Sequence, residues 1–398
     1  MRKHAALLTL VLVAAIGLGL AGCDKKGQTP TTKPAAKPSA PAAPAASTAA
    51  KPKILVTLPE YCNTPDGCTL TDDGNIILSI PNFNNGKPME QGTVAESPAL
   101  MVQIDKGNNL TKWYEFQAKD LHPDTKKVGP MGCDIGPDGN LYVADNQLFF
   151  DPAHKSRLLR INIKDGKAVS CDVVVEGFIV SNAVIWRGDT VYVSETQLVA
   201  PAKAEEGKPA PKLISGVYGI KISEWKDAPV KLAPWTPEKA DPHLVAKYET
   251  SGRIGFGADG LTFDGKGNLY CGIFEDGIIY KTSFGADGKP SEPVVFAKDP
   301  KMHCCDGIFW NKADDKIYVA DMLINGVQMV SMDGKVATLH SNGNTDGADG
   351  SLDQPCEVLV RGNECIVVNM DMPWDSDLLT NKKIDKPFTV STIAIPAK

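Results

Sequence analysis

Six copies of one short pattern recur between residues 66 and 369. Each copy has an acidic or amide residue, a small residue and three apolar-leaning positions, followed by a turn and a β-rich run. The turns are of the Asp-Gly or Gly-Asn kind, so each copy predicts a β-hairpin. The copies are 66–80, 131–145, 181–194, 258–273, 305–320 and 355–369.

The spacing of the copies predicts the fold. Successive copies begin about 47 to 77 residues apart, which leaves room for two more strands in each unit. A four-stranded unit at this spacing is typical of a propeller blade, so the chain is predicted to be an all-β, six-bladed β-propeller. Residues 54–58 and 388–395 are expected to share the last blade, with the N-terminal strand outermost, because this pairing covers an exposed edge.

The first residues predict export. Met1–His4 is positively charged, and Ala5–Leu20 is an apolar run of about 16 residues, shorter than the roughly 20 needed to span a bilayer. The run ends in Leu-Ala-Gly-Cys at 20–23, which resembles the lipobox of bacterial lipoproteins. We therefore expect residues 1–22 to be a signal peptide and Cys23 to be lipidated. An ordinary signal peptide with a chance cysteine is the alternative.

Composition separates a tether from the folded part. Residues 28–53 are dominated by Pro, Ala, Lys, Thr and Ser and contain no aromatic residue, so 23–53 is predicted to be an extended tether and 54–398 the propeller. The net charge of −6 argues against nucleic acid as a partner. The chain has no second long apolar run, so lipid is the only expected membrane attachment. We expect a monomer in the cell envelope, facing the periplasm or the cell exterior.

The residue before the small residue of each copy is expected to point toward the central channel, because the innermost strands begin near one mouth of it. Around the ring these positions are Asp66, Met131, Asn182, Asp259, Asp306 and Cys356, with Glu357 adjacent to the last. Converging carboxylates repel one another unless a cation neutralises them, and oxygen ligands are the ones calcium prefers. The alternative is that these Asp-Gly and Asn-Gly pairs only cap strands or bind water.

Two stretches carry a family resemblance. Residues 181–186, Ser-Asn-Ala-Val-Ile-Trp, and 258–263, Ala-Asp-Gly-Leu-Thr-Phe, are similar to stretches of the senescence-marker-protein (regucalcin)/gluconolactonase family of six-bladed propellers. The resemblance implies that Asn182 binds the metal and that Asp259 is both a ligand and a general base. Asp66 matches the offset of the family's first-blade glutamate better than Glu96 does, since no hairpin follows Glu96.

The resemblance implies calcium-dependent hydrolysis of a small lactone or ester. The cation would polarise the carbonyl, and Asp259 or Asp306 would accept a proton from water. Two departures weaken that inference: Met131 stands where the family usually has asparagine, and Asp306 adds a carboxylate. The alternative is a non-catalytic propeller that binds a peptide, a glycan or an envelope protein, with a structural metal or none.

The cysteines suggest an oxidising compartment. The chain has ten, and setting Cys23 aside leaves nine, so at least one is not in an intramolecular disulfide. Cys304 and Cys305 are adjacent, directly after His303 and before Asp306. We expect disulfides here, with ligation of a soft metal such as zinc or copper by His303 and the thiolates as the alternative.

Overall fold

The repeats fold into six antiparallel sheets arranged in a ring. The computed structural model describes residues 50–151, 153, 155–199 and 211–396. The predicted signal peptide, Cys23 and nearly all of the predicted tether lie outside these ranges and remain predictions. The innermost strands of the six sheets contact one another in cyclic order. The prediction of an all-β, six-bladed propeller is therefore confirmed.

The strands follow the repeats in chain order. The chain enters through β1 (Lys53–Thr57). The first blade and a small hairpin inserted in it contain β2 (Cys68–Leu70), β3 (Ile76–Ile80), β4 (Pro88–Met89), β5 (Gly92–Thr93), β6 (Leu100–Ile104) and β7 (Leu110–Glu115). The second blade contains β8 (Pro130–Ile135), β9 (Leu141–Asp145), β10 (Ser156–Lys164) and β11 (Lys167–Phe178).

The remaining blades complete the ring. The third blade and its insertion contain β12 (Ser181–Arg187), β13 (Thr190–Glu195), β14 (Leu213–Lys221), β15 (Val230–Lys231) and β16 (Leu244–Thr250). The fourth contains β17 (Ala258–Phe263), β18 (Leu269–Ile273), β19 (Ile278–Thr282) and β20 (Val294–Lys298). The fifth and sixth contain β21 (Ile308–Asn311), β22 (Lys316–Asp321), β23 (Gly326–Ser331), β24 (Val336–Ser341), β25 (Pro355–Arg361), β26 (Glu364–Asn369) and β27 (Thr389–Ala394).

Helical structure in the described ranges is confined to two single 3-10 turns, Ile222–Trp225 and Met322–Ile324. None of it is long and apolar enough to cross a bilayer.

The sixth blade closes the ring as expected. Its strand order is β1-β27-β26-β25, so the first strand of the propeller is the outermost strand of the last blade. The second blade departs from the four-stranded prediction, because β15 from the insertion of the third blade pairs in parallel with β11 and adds a fifth strand.

The glycines of the repeated pattern let the inner strands approach closely. A Cβ atom on Gly67 would lie 2.3 Å from the Cα atom of Gly132 in the next blade. A Cβ atom on Gly260 would lie 2.2 Å from the carbonyl oxygen of Asp306. Any larger side chain there would push neighbouring blades apart, so packing around the channel fixes this position of the pattern.

A second feature that repeats in every blade was not predicted from the sequence. It is a polar residue at the end of the second strand of the blade, or two residues beyond that end. In all six blades a buried carboxylate or amide oxygen accepts a hydrogen bond from a backbone N–H of the loop that leads into the blade. The pairs are Asn82 with Asn63, Asp145 with Gly129, Glu195 with Ile179, Glu275 with Gly255, Asp321 with His303, and Asn369 with Asp353. These bonds fix where each inner strand begins.

We expect removal of one of these anchors to destabilise the propeller strongly. Asp145 also forms a buried ion pair with Arg157, whose Nη2 lies 2.6 Å from the aspartate Oδ2. Asp145→Ala would leave the guanidinium buried and unpaired, which costs about 3–5 kcal/mol. Denaturant titration would measure the change in the free energy of unfolding. Glu115→Ala, which breaks an exposed pair with Lys112, is the control, and an equal effect of the two substitutions would contradict the anchor role.

Candidate metal centre in the central channel

The predicted channel residues meet at one mouth of the ring. Asp66 lies just before β2, Asn182 and Asp259 lie on β12 and β17, and Asp306 lies just before β21. Asn182 donates a hydrogen bond from Nδ2 to Oδ1 of Asp259, at 2.8 Å. The side chains of Asp259 and Asp306 are within hydrogen-bonding reach of each other, and Asp66 is close enough to act electrostatically on both. The structure therefore brings together the side chains that the repeat register selects.

These carboxylates are shielded from solvent. Asp66 is 8% exposed, Asp259 4% and Asp306 9%. On the face where the inner strands begin, Phe256 packs against Phe274, which in turn packs against Trp374, with centroid distances of 5.8 and 6.4 Å. We call Asp66, Asp259 and Asp306 the acidic ring. Its low exposure shows that it is largely covered and does not open into a wide pocket.

Burial and mutual repulsion disfavour the charged forms. Burial raises the pKa of Asp66 to about 7, and burial together with the charge of Asp66 raises the pKa of Glu357 to about 8. Burial and the surrounding carboxylates raise the pKa of both Asp259 and Asp306 well above the ordinary range. Among the described residues, none of the four forms an ion pair with Lys, Arg or His. Protons or a cation must therefore balance this charge.

Behind the ring lies a cavity of about 110 Å³. All six inner strands line it, and its polar lining includes Glu357, Asp134, Thr69 and Thr262. Asp134 is fully engaged, since it accepts hydrogen bonds from the backbone of Trp186 and from the hydroxyl of Thr69. A space of this size holds a few water molecules and is too small for a sugar-sized ligand.

The side-chain oxygens around the channel are suited to a hard cation, but the carboxylates lie far apart. Oxygen ligands alone are available, as calcium prefers. The amide nitrogen of Asn182 faces Asp259, and rotating the amide by half a turn would present its oxygen instead. Within the described chain, however, no three channel carboxylates bring one oxygen each within 4.8 Å of one another. The ring therefore surrounds the axis without forming a compact three-carboxylate cluster.

The other ring positions supply no hard ligand. Met131 is buried in an apolar cluster that Phe83 packs against. The thiol of Cys356 donates a hydrogen bond to the carbonyl oxygen of Pro65, at 3.3 Å. Asp66 lies at the ring, whereas Glu96 is exposed, beside Gly86. The expectation that no hairpin follows Glu96 was wrong, because β6 and β7 form an antiparallel hairpin there.

The expected disulfides are not found. All nine cysteines in the described ranges are free thiols. Cys304 and Cys305 are both fully buried, and they pack into different apolar clusters, Cys304 with Phe274 and Cys305 with Ile308. Burial raises the pKa of both thiols well above the usual value. Neighbours on an extended segment point to opposite sides, which separates the two sulfur atoms and explains why this expectation was wrong.

The soft-metal alternative has no support either. The backbone N–H of His303 donates to Oδ2 of Asp321, and its Nδ1 lies 3.2 Å from the carbonyl oxygen of Lys301. His303 therefore belongs to the loop anchor of the fifth blade, and no cluster of its ring with cysteine sulfurs is present among the residues described.

Comparison with known proteins adds information on the fold. No family model and no curated protein matches the sequence. The solved structures that resemble it include a gluconolactonase from Xanthomonas campestris, at 12% identity and a TM-score of 0.50, covering 89% of this chain and 99% of that one. A calcium-binding regucalcin from Agrobacterium tumefaciens has 12% identity and a TM-score of 0.50, covering 88% and 96%.

A third neighbour carries different chemistry on the same fold. The PQQ-bound aldose sugar dehydrogenase of Streptomyces coelicolor has 12% identity and a TM-score of 0.50, covering 88% of this chain and 99% of that one. Identities this low show the fold alone, because propellers host unrelated activities. The chain therefore shares the six-bladed propeller fold of the gluconolactonase and regucalcin structures, and the resemblance inferred from residues 181–186 and 258–263 is confirmed at that level.

Proposed function

We propose that the channel binds a divalent cation, most simply calcium, and that the protein hydrolyses a small lactone or ester. The observation that carries this proposal is the set of three buried carboxylates around one axis, with the half-buried Glu357 nearby, which form no ion pairs within the described residues. Such a set is costly unless a cation balances it. The fold shared with a gluconolactonase and a calcium-binding regucalcin supports the same function.

The channel residues would have different roles in this reaction. Asp66, Asn182 and Asp259 would hold the ion, which when bound polarises a substrate carbonyl as a Lewis acid. Asp306 lies within hydrogen-bonding reach of Asp259, so the two can share one proton. This pair can accept a proton from the attacking water and return it to the leaving alkoxide as the ring C–O bond breaks.

A non-catalytic propeller is the second candidate. Its support is the low exposure of the ring, where even Asp306 is only 9% exposed. A substrate could reach these carboxylates only if the residues that bury them moved aside. In this alternative the ion would be structural, and an outer surface of the propeller would bind a peptide, a glycan or an envelope protein.

The cellular setting belongs to the proposal as well. The lipobox-like sequence ending at Cys23 supports a lipid-anchored protein of the cell envelope. One residue carrying several acyl chains would hold the chain on the membrane surface. The tether at 23–53 would let the propeller meet small molecules or envelope proteins outside the cytoplasm.

We predict that Asp259→Asn removes one equivalent of bound calcium. The substitution keeps the shape of the side chain but deletes a charge at the ring, so calcium affinity at that site should fall at least about ten-fold. Calorimetric titration of the protein lacking its lipid anchor would measure this. Asp134→Asn is the matched control, because Asp134 lies in the same channel with its oxygens already hydrogen-bonded. Unchanged binding by Asp259→Asn would contradict the channel site.

Turnover should separate the two candidate functions. A screen of sugar lactones, other γ-lactones and aryl esters should give hydrolysis by the wild type. In Asp306→Asn, kcat should be lower by roughly 10²- to 10⁴-fold with calcium retained, since the proton acceptor alone is lost. Asp134→Asn should keep its activity. Calcium binding without turnover on any substrate class would favour the binding propeller instead.

A further inference from the structure

A second acidic cluster lies in the sixth blade, outside the channel ring. Asp353 precedes β25, Asp371 follows β26, and Asp385 precedes β27. One carboxylate oxygen from each lies within 4.8 Å of the others. We call these three residues the aspartate cluster. Among the residues described, it is the only group of three acidic, histidine or cysteine side chains with this spacing.

Two oxygens of the aspartate cluster are buried without a partner. The three residues are 3%, 1% and 2% exposed. Asp371 is satisfied, because it accepts hydrogen bonds from Nδ2 of Asn381 and from the backbone N–H of Asp385, at 2.8 and 3.0 Å. Oδ1 of Asp353 and Oδ1 of Asp385 accept none. A buried carboxylate oxygen left unsatisfied is costly, so these two atoms point to an absent ligand.

The protein supplies too little positive charge here. Nζ of Lys383 lies 3.5 Å from Oδ2 of Asp385, but the lysine side chain is 49% exposed and also pairs with Glu90. Burial and the two neighbouring carboxylates raise the pKa of Asp353 to about 9. A single half-exposed ammonium shared with another carboxylate cannot balance three buried ones.

We propose that the aspartate cluster binds a divalent cation of the calcium type, at a site independent of the channel. The geometry allows it directly. Oxygens that each lie about 2.3–2.6 Å from calcium can be as much as roughly 5 Å apart, and the observed limit is 4.8 Å. An all-oxygen donor set disfavours zinc and copper, which prefer nitrogen and sulfur.

The loop that ends at Asp353 has a composition suited to this ion. Asn342, Asn344, Asp346, Gly347 and Asp353 match the first, third, fifth, sixth and twelfth positions of a twelve-residue calcium loop. The glycine has a positive φ of 66°, as the sharp turn at the sixth position requires.

The match is partial. Oδ1 of Asn342 and Oδ1 of Asn344 accept backbone N–H groups of Leu352 and Lys382, so both oxygens are already engaged. Asp346 differs, because its charge acts on two members of the aspartate cluster. We therefore include Asp346 as an additional acidic group beside the aspartate cluster.

The position of the site suggests what the cation would do. The aspartate cluster joins the entry to β25 to the segment 370–388 between β26 and β27, and Nδ2 of Asn84 in the first blade donates to the carbonyl oxygen of Asp371, at 2.6 Å. The site thus lies where the last blade meets the first. A bound ion would strengthen ring closure, whereas without one the three carboxylates repel.

Thermal unfolding of the protein with calcium chloride or with EDTA tests this. Saturating calcium should raise the melting temperature of the wild type by roughly 5 °C. In Asp353→Asn, the calcium equivalent of the aspartate cluster and its contribution to that rise should be lost. Asp259→Asn should lose the channel equivalent but keep the equivalent and the stabilisation of the aspartate cluster. In EDTA, Asp353→Asn should melt no lower than the wild type, because it removes an acidic group that is costly to bury and whose Oδ1 accepts no hydrogen bond. Asp377→Asn, an exposed residue of the same segment, should behave as the wild type.

Two results would overturn the proposal. One is an equal number of calcium ions bound by the wild type and by Asp353→Asn with the same affinities. The other result comes from limited proteolysis of the wild type, which serves if Asp353→Asn does not fold. Calcium should slow cleavage within residues 371–387, so equal cleavage rates in calcium and in EDTA would reject the site. A failed channel site gives a different pattern, in which the wild type binds one ion and Asp259→Asn binds it equally.

Discussion

The close approach of the six inner strands is the constraint on which the rest of the molecule depends. Backbone atoms of adjacent blades come so near that positions such as Gly67 and Gly260 cannot carry a side chain. The residue before each small residue is therefore held at the channel mouth. Side chains of Asp66, Asp259 and Asp306 meet there because the repeat puts them in register, and the buried anchors at the strand ends hold that register.

The same packing buries carboxylates, and burying their charge costs free energy. Carboxylates are buried in the channel and again in the sixth blade, and in the described part of the chain a single half-exposed lysine pairs with the second set. Charge of this kind must be balanced by protons or by cations. In the channel, the pair Asp259–Asp306 can hold a proton between its members, which suits hydrolysis. In the aspartate cluster, the unpartnered oxygens of Asp353 and Asp385 favour a cation that stabilises the fold.

The repeated hairpins could be predicted from the sequence. Features that depend only on contacts between distant parts of the chain could not. All six hairpins were identified because turn residues and strand composition recur, and the fourth matches 258–263 and 269–273 throughout. The strand anchors were visible as an acidic or amide residue in copy after copy, such as Asp145, but were not recognised. The aspartate cluster could not be found this way, since its members come from three separate loops and their side chains are not part of the repeated pattern. The disulfides were wrongly inferred from cysteine number, which carries no information on side-chain direction.

The central claim is that the acidic ring is a cation site, and anomalous diffraction tests it most directly. Crystals grown with manganese, an oxygen-seeking substitute for calcium, would give an anomalous difference map of the channel. The account predicts a peak on the axis within about 2.5 Å of oxygens from Asp66 and Asp259, with the amide oxygen of Asn182 turned toward it. A map without a channel peak, in which Asp259 remains beside Asp306 and hydrogen-bonded to the Asn182 amide nitrogen, would contradict it.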